Sequence, residues 1–444
     1  MRLHNFVVGL AAACCATASF GAERLTVDDA VNLAIKGNRP LLSVEKRAVG
    51  AHDSALSVGA RLLPAIRLSE EYQHWDCPFA IDFATFQGGC APTTPPAMGM
   101  MAPLVARKQD TNSFVAVVNQ PLVGLLHTGF DFAGQRANAR ASDAQAKVTE
   151  AQVVQTVRTL FLQYFEAHAL EQIAAASLAE LNEQVTVAQA RLKAGVITNA
   201  DLLRVQVAAA NARQQQIAAH TQGLVAKAHL LDVIGLNSND PVELVEPTSL
   251  LTMSQKPMPE LAAAQAQAET RRPEMAQVSE TARAADHVSK ARHLSLLPEV
   301  DAEGGYVRTD GQLFAPPNQW FVGVRASWNI WEWGATFFQA RAAAHNAEAA
   351  AIDRENERHQ VAVEVQTTAA QTEAAKVSVD VAKEAIGSAQ EAYRVTQALL
   401  QAGSATTTDL LDAQNAFLTA RLNLARAQYE LAIQRVALAR VMGE

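Results

Sequence analysis

Hydrophobic and polar positions follow two periods along this chain, and the order of those periods occurs twice. A period of two appears first after Leu62-Leu63-Pro64. There Ile66, Leu68 and Tyr72 are apolar, apart from Glu70, while Arg67, Ser69 and Glu71 are polar. This alternation predicts a strand over 62–75. After Leu296-Leu297-Pro298 it returns over 298–307, with Val300, Ala302 and Tyr306 against Glu299, Asp301 and Glu303. Over 319–331, Trp320, Val322, Val324, Ala326, Trp328 and Ile330 share one face. Gly323, Arg325, Ser327 and Asn329 take the other, and Phe321 is the exception. A strand over 112–122 is apolar on both faces and leaves its register open. Residues 76–110, rich in Pro, Gly, Met and Thr, show no period and read as a long loop.

The helical period dominates the rest. Residues 130–193 run helical without a break apart from Gly134, on the order of 100 Å at 1.5 Å per residue. A return helix over 198–234 carries a heptad seam: Leu203, Val207, Ala210, Gln214, Ile217, Thr221, Leu224, Ala228 and Leu231. The second half repeats the plan with a long helix over 335–402 and a return helix over 406–442. Its seam is Leu411, Leu418, Leu422, Ala425, Tyr429, Ala432, Val436 and Ala439. Short helices precede each strand pair, at 25–37 and 41–61 and again from 260 to about 293, broken at Asn38-Arg39-Pro40 and Arg271-Arg272-Pro273. A Pro-rich connector over 236–259 joins a first repeat (23–235) to a second (260–444).

The turns between long and return helices are RLKAGVITNADLLRVQ (191–206) and LLQAGSATTTDLLDAQ (399–414), offset by 208. Gly195 and Gly403 end the incoming helices, because glycine takes the left-handed cap conformation. Thr198 and Thr406 cap the outgoing helices, and Asp201 and Asp409 stand in their first turns, where a carboxylate suits the capping box.

Composition narrows the function. The 444 residues are 49% hydrophobic with a net charge of −8, and no basic stripe stands out, which argues against nucleic acid. Arg2, apolar Phe6–Ala13 and the small residues up to Gly21 predict a signal peptide over 1–22. Cys14-Cys15 offers a lipoprotein reading, but Ala11-Ala12-Ala13 lacks the bulky residue expected before a lipidated cysteine. Cys77 and Cys90 remain, as a candidate disulfide or as two free thiols. No later stretch is an apolar run of about 20 residues, so a membrane crossing requires a closed β-barrel. Four strands per chain cannot close one, whereas three copies supply 12. The acidic face of Glu299, Asp301 and Glu303 then belongs to a wet lumen; the plain alternative is a soluble, half-exposed sheet. Met98, Met100, Met101 and His74 lack regular ligand spacing and read as loop residues. No enzymatic constellation, cofactor motif or metal spacing is present.

In order and spacing, NRPLL (Asn38–Leu42), the two LLP-strand units, WNIWEWG (Trp328–Gly334) and the paired tips resemble the outer-membrane efflux protein family, the TolC-like channel-tunnels of Gram-negative bacteria. The resemblance implies a mainly α, mixed fold built as a tandem structural repeat. Its trimer carries a 12-stranded transmembrane β-barrel that continues into a periplasmic α-helical barrel. It also implies an exit duct for efflux or type I secretion in the outer membrane, working as a homotrimer with a periplasmic adaptor and an inner-membrane pump. By the same resemblance, Asp409 and Asp412 ring the periplasmic entrance, and the Gly-x-x-Thr tips dock the adaptor. The family's Tyr and Arg that tie the second tip to the first-tip Asp, here Asp201, correspond to Leu400 and Ala405, which cannot make those bonds. The competing reading is a periplasmic coiled-coil adaptor or structural protein without a membrane barrel.

Overall fold

The computed structural model describes residues 23–83, 86–92, 101–237, 240–254 and 257–444. The predicted signal segment, with Cys14 and Cys15, lies outside these residues, as do Met98 and Met100. In chain order the elements are β1 (Glu23–Leu25), α1 (Val27–Gly37), α2 (Arg39–Ala60), β2 (Ala65–His74), β3 (Phe79–Asp82), β4 (Gln87–Cys90), β5 (Leu104–Pro121), α3 (Gly124–Lys193), α4 (Asn199–Val233), β6 (Val242–Leu244), α5 (Thr248–Met253), α6 (Leu261–Arg271), α7 (Pro273–Leu294), β7 (Glu299–Gln312), β8 (Asn318–Ser327), α8 (Ala335–Gln401) and α9 (Thr407–Val441). The chain forms two units. One is drawn from Met1–Leu42, Thr149–Gln267 and Glu364–Glu444, the other from Ser43–Val148 and Ala268–Val363.

The second unit holds an open antiparallel sheet. Its long strands run β2-β5-β7-β8, and the β3–β4 hairpin extends the β2 side of β5. Directly paired residues share a face in such a ladder. The pairs Ile66–Val118, Leu68–Ala116, Ala116–Tyr306, Tyr306–Trp320 and Ala302–Val324 therefore join into one apolar face across four strands. Arg67, Ser69, Asn119, Asp301, Glu303 and Arg325 occupy the opposite face, where the Arg325 guanidinium donates to Glu303 at 3.0 Å. The register places Val115 and Val117 on this polar side. Phe321 lies there too, opposite Gly305. A Cβ at 305 would come within 2.9 Å of its ring and 2.6 Å of the Ala116 carbonyl, so glycine leaves the space that Phe321 fills.

Several boundaries differ from the sequence expectation. The loop over 76–110 is shorter, because the β3–β4 hairpin occupies part of it and β5 starts at Leu104, not 112. A register shift between Arg107 and Asn112 interrupts the period of two and hides the start of that strand. Cys77 and Cys90 are joined in a disulfide across the hairpin base, with Cα atoms 5.5 Å apart. Strand β8 ends at Ser327, short of 331. Its partner β7 begins at Glu299, just after Pro298, which has no N–H, so Trp328–Ile330 have no ladder to join. Helix α3 starts at Gly124, six residues before the expected 130, soon after the ladder bond from Leu122 N–H to the Val300 carbonyl. Arg39-Pro40 opens α2, since proline's missing N–H costs nothing in a first turn.

The first unit has its main core where α3, α4 and α9 meet α1 and the connector. Phe161, Leu162, Leu230, Leu231, Ala432 and Val436 are buried there with Ala30 and Ala34. Each large side chain of this kind contributes about 1.5–3 kcal/mol on burial. Asn38 fixes the α1–α2 corner: its Nδ2–H donates to the Val233 carbonyl and its Oδ1 accepts from the Leu41 N–H, both at 3.0 Å. The parallel pair β1–β6 and the short α5 were not legible in the sequence, because three-residue strands carry no period.

Helices α4 and α9 are equally long and start and end 208 residues apart (407 − 199 and 441 − 233). The α9 seam is buried from Leu411 through Val436. The expected α4 seam is buried at its end, at Leu231, but Leu203, Val207, Ile217 and Leu224 are each more than half exposed. The face of α4 that packs within the chain is Val205, Ala208, Ala209, Ala212, Ala219, Gly223 and Ala226. Small residues let the α4 backbone approach its neighbours closely, and they leave the bulky stripe outside.

Candidate functional site

The same local devices build both hairpin tips. Gly195 and Gly403 have φ of +71° and +75°, a conformation only glycine adopts without a Cβ clash. With it, the Val196 N–H reaches the Arg191 carbonyl at 3.0 Å and the Gly195 N–H reaches that of Leu192 at 2.9 Å. Ser404 to Leu399 (2.8 Å) and Gly403 to Leu400 (3.2 Å) repeat the pattern. Two residues on, Thr198 Oγ1 accepts from the Asp201 N–H at 3.3 Å. Asp201 Oδ2 accepts from the Thr198 N–H (3.0 Å) and hydroxyl (2.7 Å). Thr406 and Asp409 make the same box at 3.2, 2.8 and 2.7 Å. The threonine hydroxyl first, and the backbone N–H second, stabilise the ionised carboxylate and hold Asp201 and Asp409 below the ordinary carboxylate range. Arg204 adds a smaller pull on Asp201.

The candidate site residues therefore divide. Gly195, Thr198, Asp201, Gly403, Thr406 and Asp409 all take part in turn and cap geometry. Asp412 is exposed and makes no hydrogen bond or ion pair among the described residues. Arg204, at the matching position of the first tip (204 + 208 = 412), behaves differently. Its Nη1–H donates to Thr408 Oγ1 at 2.7 Å, and it lies 3.9 Å from its own Asp201. This bond ties the two tips of one chain, at residues other than Leu400 and Ala405. Sequence reasoning did not assign it, although the Arg-for-Asp contrast was its visible signal.

A cleft of about 550 Å³ also lies between the hairpins. Glu180, Gln184 and Val187 of α3 face Tyr393 and Leu400 of α8 across it. Tyr393 stacks on Phe417 with ring centres 5.9 Å apart. Burial, and then the Glu180 carboxylate, raise its hydroxyl pKa. Elsewhere, Asp76, Cys77 and Cys90 come within ligand distance of one another, but both sulfurs are spent in the disulfide. His74, grouped with the loop methionines by its sequence, closes strand β2 and is hydrogen-bonded to Asp110 at 2.7 Å.

Residues 264–444 match the sequence model of the family described as outer membrane efflux protein. The chain is also 27% identical over 286 residues to the outer membrane efflux protein BepC of Brucella suis biovar 1 (strain 1330), covering 63% of this chain and 61% of that protein. Residues 264–444 of the chain therefore resemble the outer membrane efflux protein family. The matched segment spans less than two thirds of BepC. Among solved structures, the outer membrane protein VceC of Vibrio cholerae superposes with a TM-score of 0.79 at 15% identity, over 94% of this chain and 96% of that one. CusC, solved in work on folding and transmembrane channel formation, gives 0.79 at 16% identity, over 94% and 92%. These likenesses establish the fold.

Proposed function

We propose that the protein is the outer-membrane exit duct of a tripartite efflux or type I secretion system. It conducts substrates passively from a periplasmic adaptor and inner-membrane pump to the exterior. The observation that carries this reading is the open ladder β2-β5-β7-β8. It has one apolar and one polar face, and among the described residues β2 and β8 each lack a partner on their outer edge. Unpaired strand edges are untenable in lipid. A homotrimer joins β8 of one copy to β2 of the next and closes a 12-stranded barrel, with the apolar face toward lipid and Glu303 and Arg325 toward water. The polar face and the length of α3 and α8 also favour a duct over a periplasmic coiled-coil adaptor, which has no use for a lipid-like sheet.

At the periplasmic end, threefold symmetry gathers Asp409 and Asp412 around one axis as a cation-attracting ring. The tips at Gly195–Asp201 and Gly403–Thr406 present the surface for a periplasmic adaptor's helical hairpin. The test is extraction from outer membranes followed by electrophoresis with and without heating. A heat-modifiable oligomer of three chains supports the reading. Recovery of the protein in the soluble periplasmic fraction, with no membrane-embedded oligomer, would sink it.

A further inference from the structure

Partway along the first-repeat hairpin, two imidazoles converge on one carboxylate. His168 and Glu171 stand three residues apart on α3, so one helix face carries both. His220 reaches in from α4. Its Nδ1 lies 3.1 Å from Glu171 Oε1, and His168 Nδ1 lies 4.0 Å from Glu171 Oε2. The side chains of His220, His168 and Glu171 are 57%, 49% and 27% exposed, so an ion can reach them from solvent. Donors on one tetrahedral zinc ion stand about 3.3 Å apart, given bonds of about 2.0 Å. His220 and Glu171 already have that spacing. A swing of the His168 ring toward Glu171 completes the set.

The surroundings prepare the His168 ring. The Gln172 side-chain amide meets His168 Nε2 at 3.0 Å. With its carbonyl turned to that nitrogen, it accepts the Nε2–H and leaves the Nδ1 lone pair for an ion. Tyr164 stacks on His168 with an interplanar angle of 4°, which sets the plane of the ring. The duplicated scaffold does not require these residues. Helices α3 and α8 end 208 residues apart (401 − 193), and at that offset His168, Glu171 and His220 become Lys376, Val379 and Gln428. The second hairpin forms with neither an imidazole nor a carboxylate at these three positions.

We infer that His168, Glu171 and His220 form a binding site for a divalent transition-metal ion of the zinc and copper class. Two imidazole nitrogens and one carboxylate hold the ion, and water fills the remaining position. Imidazole suits these ions, whereas magnesium and calcium take oxygen ligands. A bound ion joins α3 to α4 in addition to their apolar packing, and it ties down the first-repeat hairpin alone. The site is made within one chain, so it stands whether or not the proposed trimer forms.

Zinc titration calorimetry on the purified protein, without a polyhistidine tag, tests the site. One zinc ion should bind per chain. Loss of an outer-shell partner already weakens a metal site about 10–100-fold, so H168A and H220A should each weaken binding at least about tenfold. H52A, at an imidazole paired with Asp143, should leave it unchanged. Zinc should also slow hydrogen exchange at residues 168–172 and 217–221 of the wild-type chain. Copper(II), as a second probe, should show nitrogen coupling by electron paramagnetic resonance. No zinc binding, zinc binding that H168A and H220A leave untouched, exchange that zinc does not slow, or copper spectra without nitrogen coupling would each overturn the site.

Discussion

Helices α4 and α9 share length, cap, turn and register, yet one hides its bulky stripe and the other displays it. Local sequence makes them alike. Their neighbours make them different: α9 lies against the first-repeat hairpin of its own chain, and among the described residues the equivalent stripe of α4 is left exposed. The lesson is that matching local sequence makes two helices alike, while the bodies packed against them decide which face is covered.

The sharpest way to break this comparison is to truncate matched stripes. Leu418→Ala opens a cavity in the buried α9 seam and should cost the folded chain about 2–5 kcal/mol, read as a drop in denaturation midpoint. Ile217→Ala should leave the chain's fold within about 0.5 kcal/mol, yet lower the heat stability of the oligomer on gels. Equal effects on the isolated chain would erase the distinction. The tips probe the shared side of the comparison. Gly195→Val and Gly403→Val should each cost about 1–2 kcal/mol through left-handed strain. Hydrogen exchange at the two turns should report them equally.

Thr198→Ala and Thr406→Ala remove matched caps, worth about 1 kcal/mol each, and should fray α4 and α9 alike. The smallest effect is that of pH. Both boxed carboxylates titrate below the ordinary range when folded. Their contribution is therefore complete above that range and is lost as pH falls through the lowered values. Protection against exchange at residues 198–201 and 406–409, relative to the intrinsic rate at each pH, should fall together on acidification. Asp201 should hold out slightly longer, because Arg204 stands beside it.

The tips were legible because capping chemistry is local: Gly195, Thr198 and Asp201 announce a turn whatever surrounds them. The strands were legible where the alternation was unbroken, as at Trp320–Ala326, and failed at Arg107–Asn112, where the register shifts. The heptad on α4 was visible, but the direction it faces was not. A sequence period says that Leu203 and Ile217 share a side, not which body covers that side. Arg204 escaped for the same reason, since its partner Thr408 is 204 residues away.

The central claim is that these tips form the mouth of a conducting tube, and planar-bilayer recording of the purified protein tests it most directly. The account predicts discrete, cation-selective channels that lose selectivity when Asp409 and Asp412 are both replaced by Asn. A membrane-inserted trimer that conducts no ions, or whose selectivity is untouched by that double change, would contradict it.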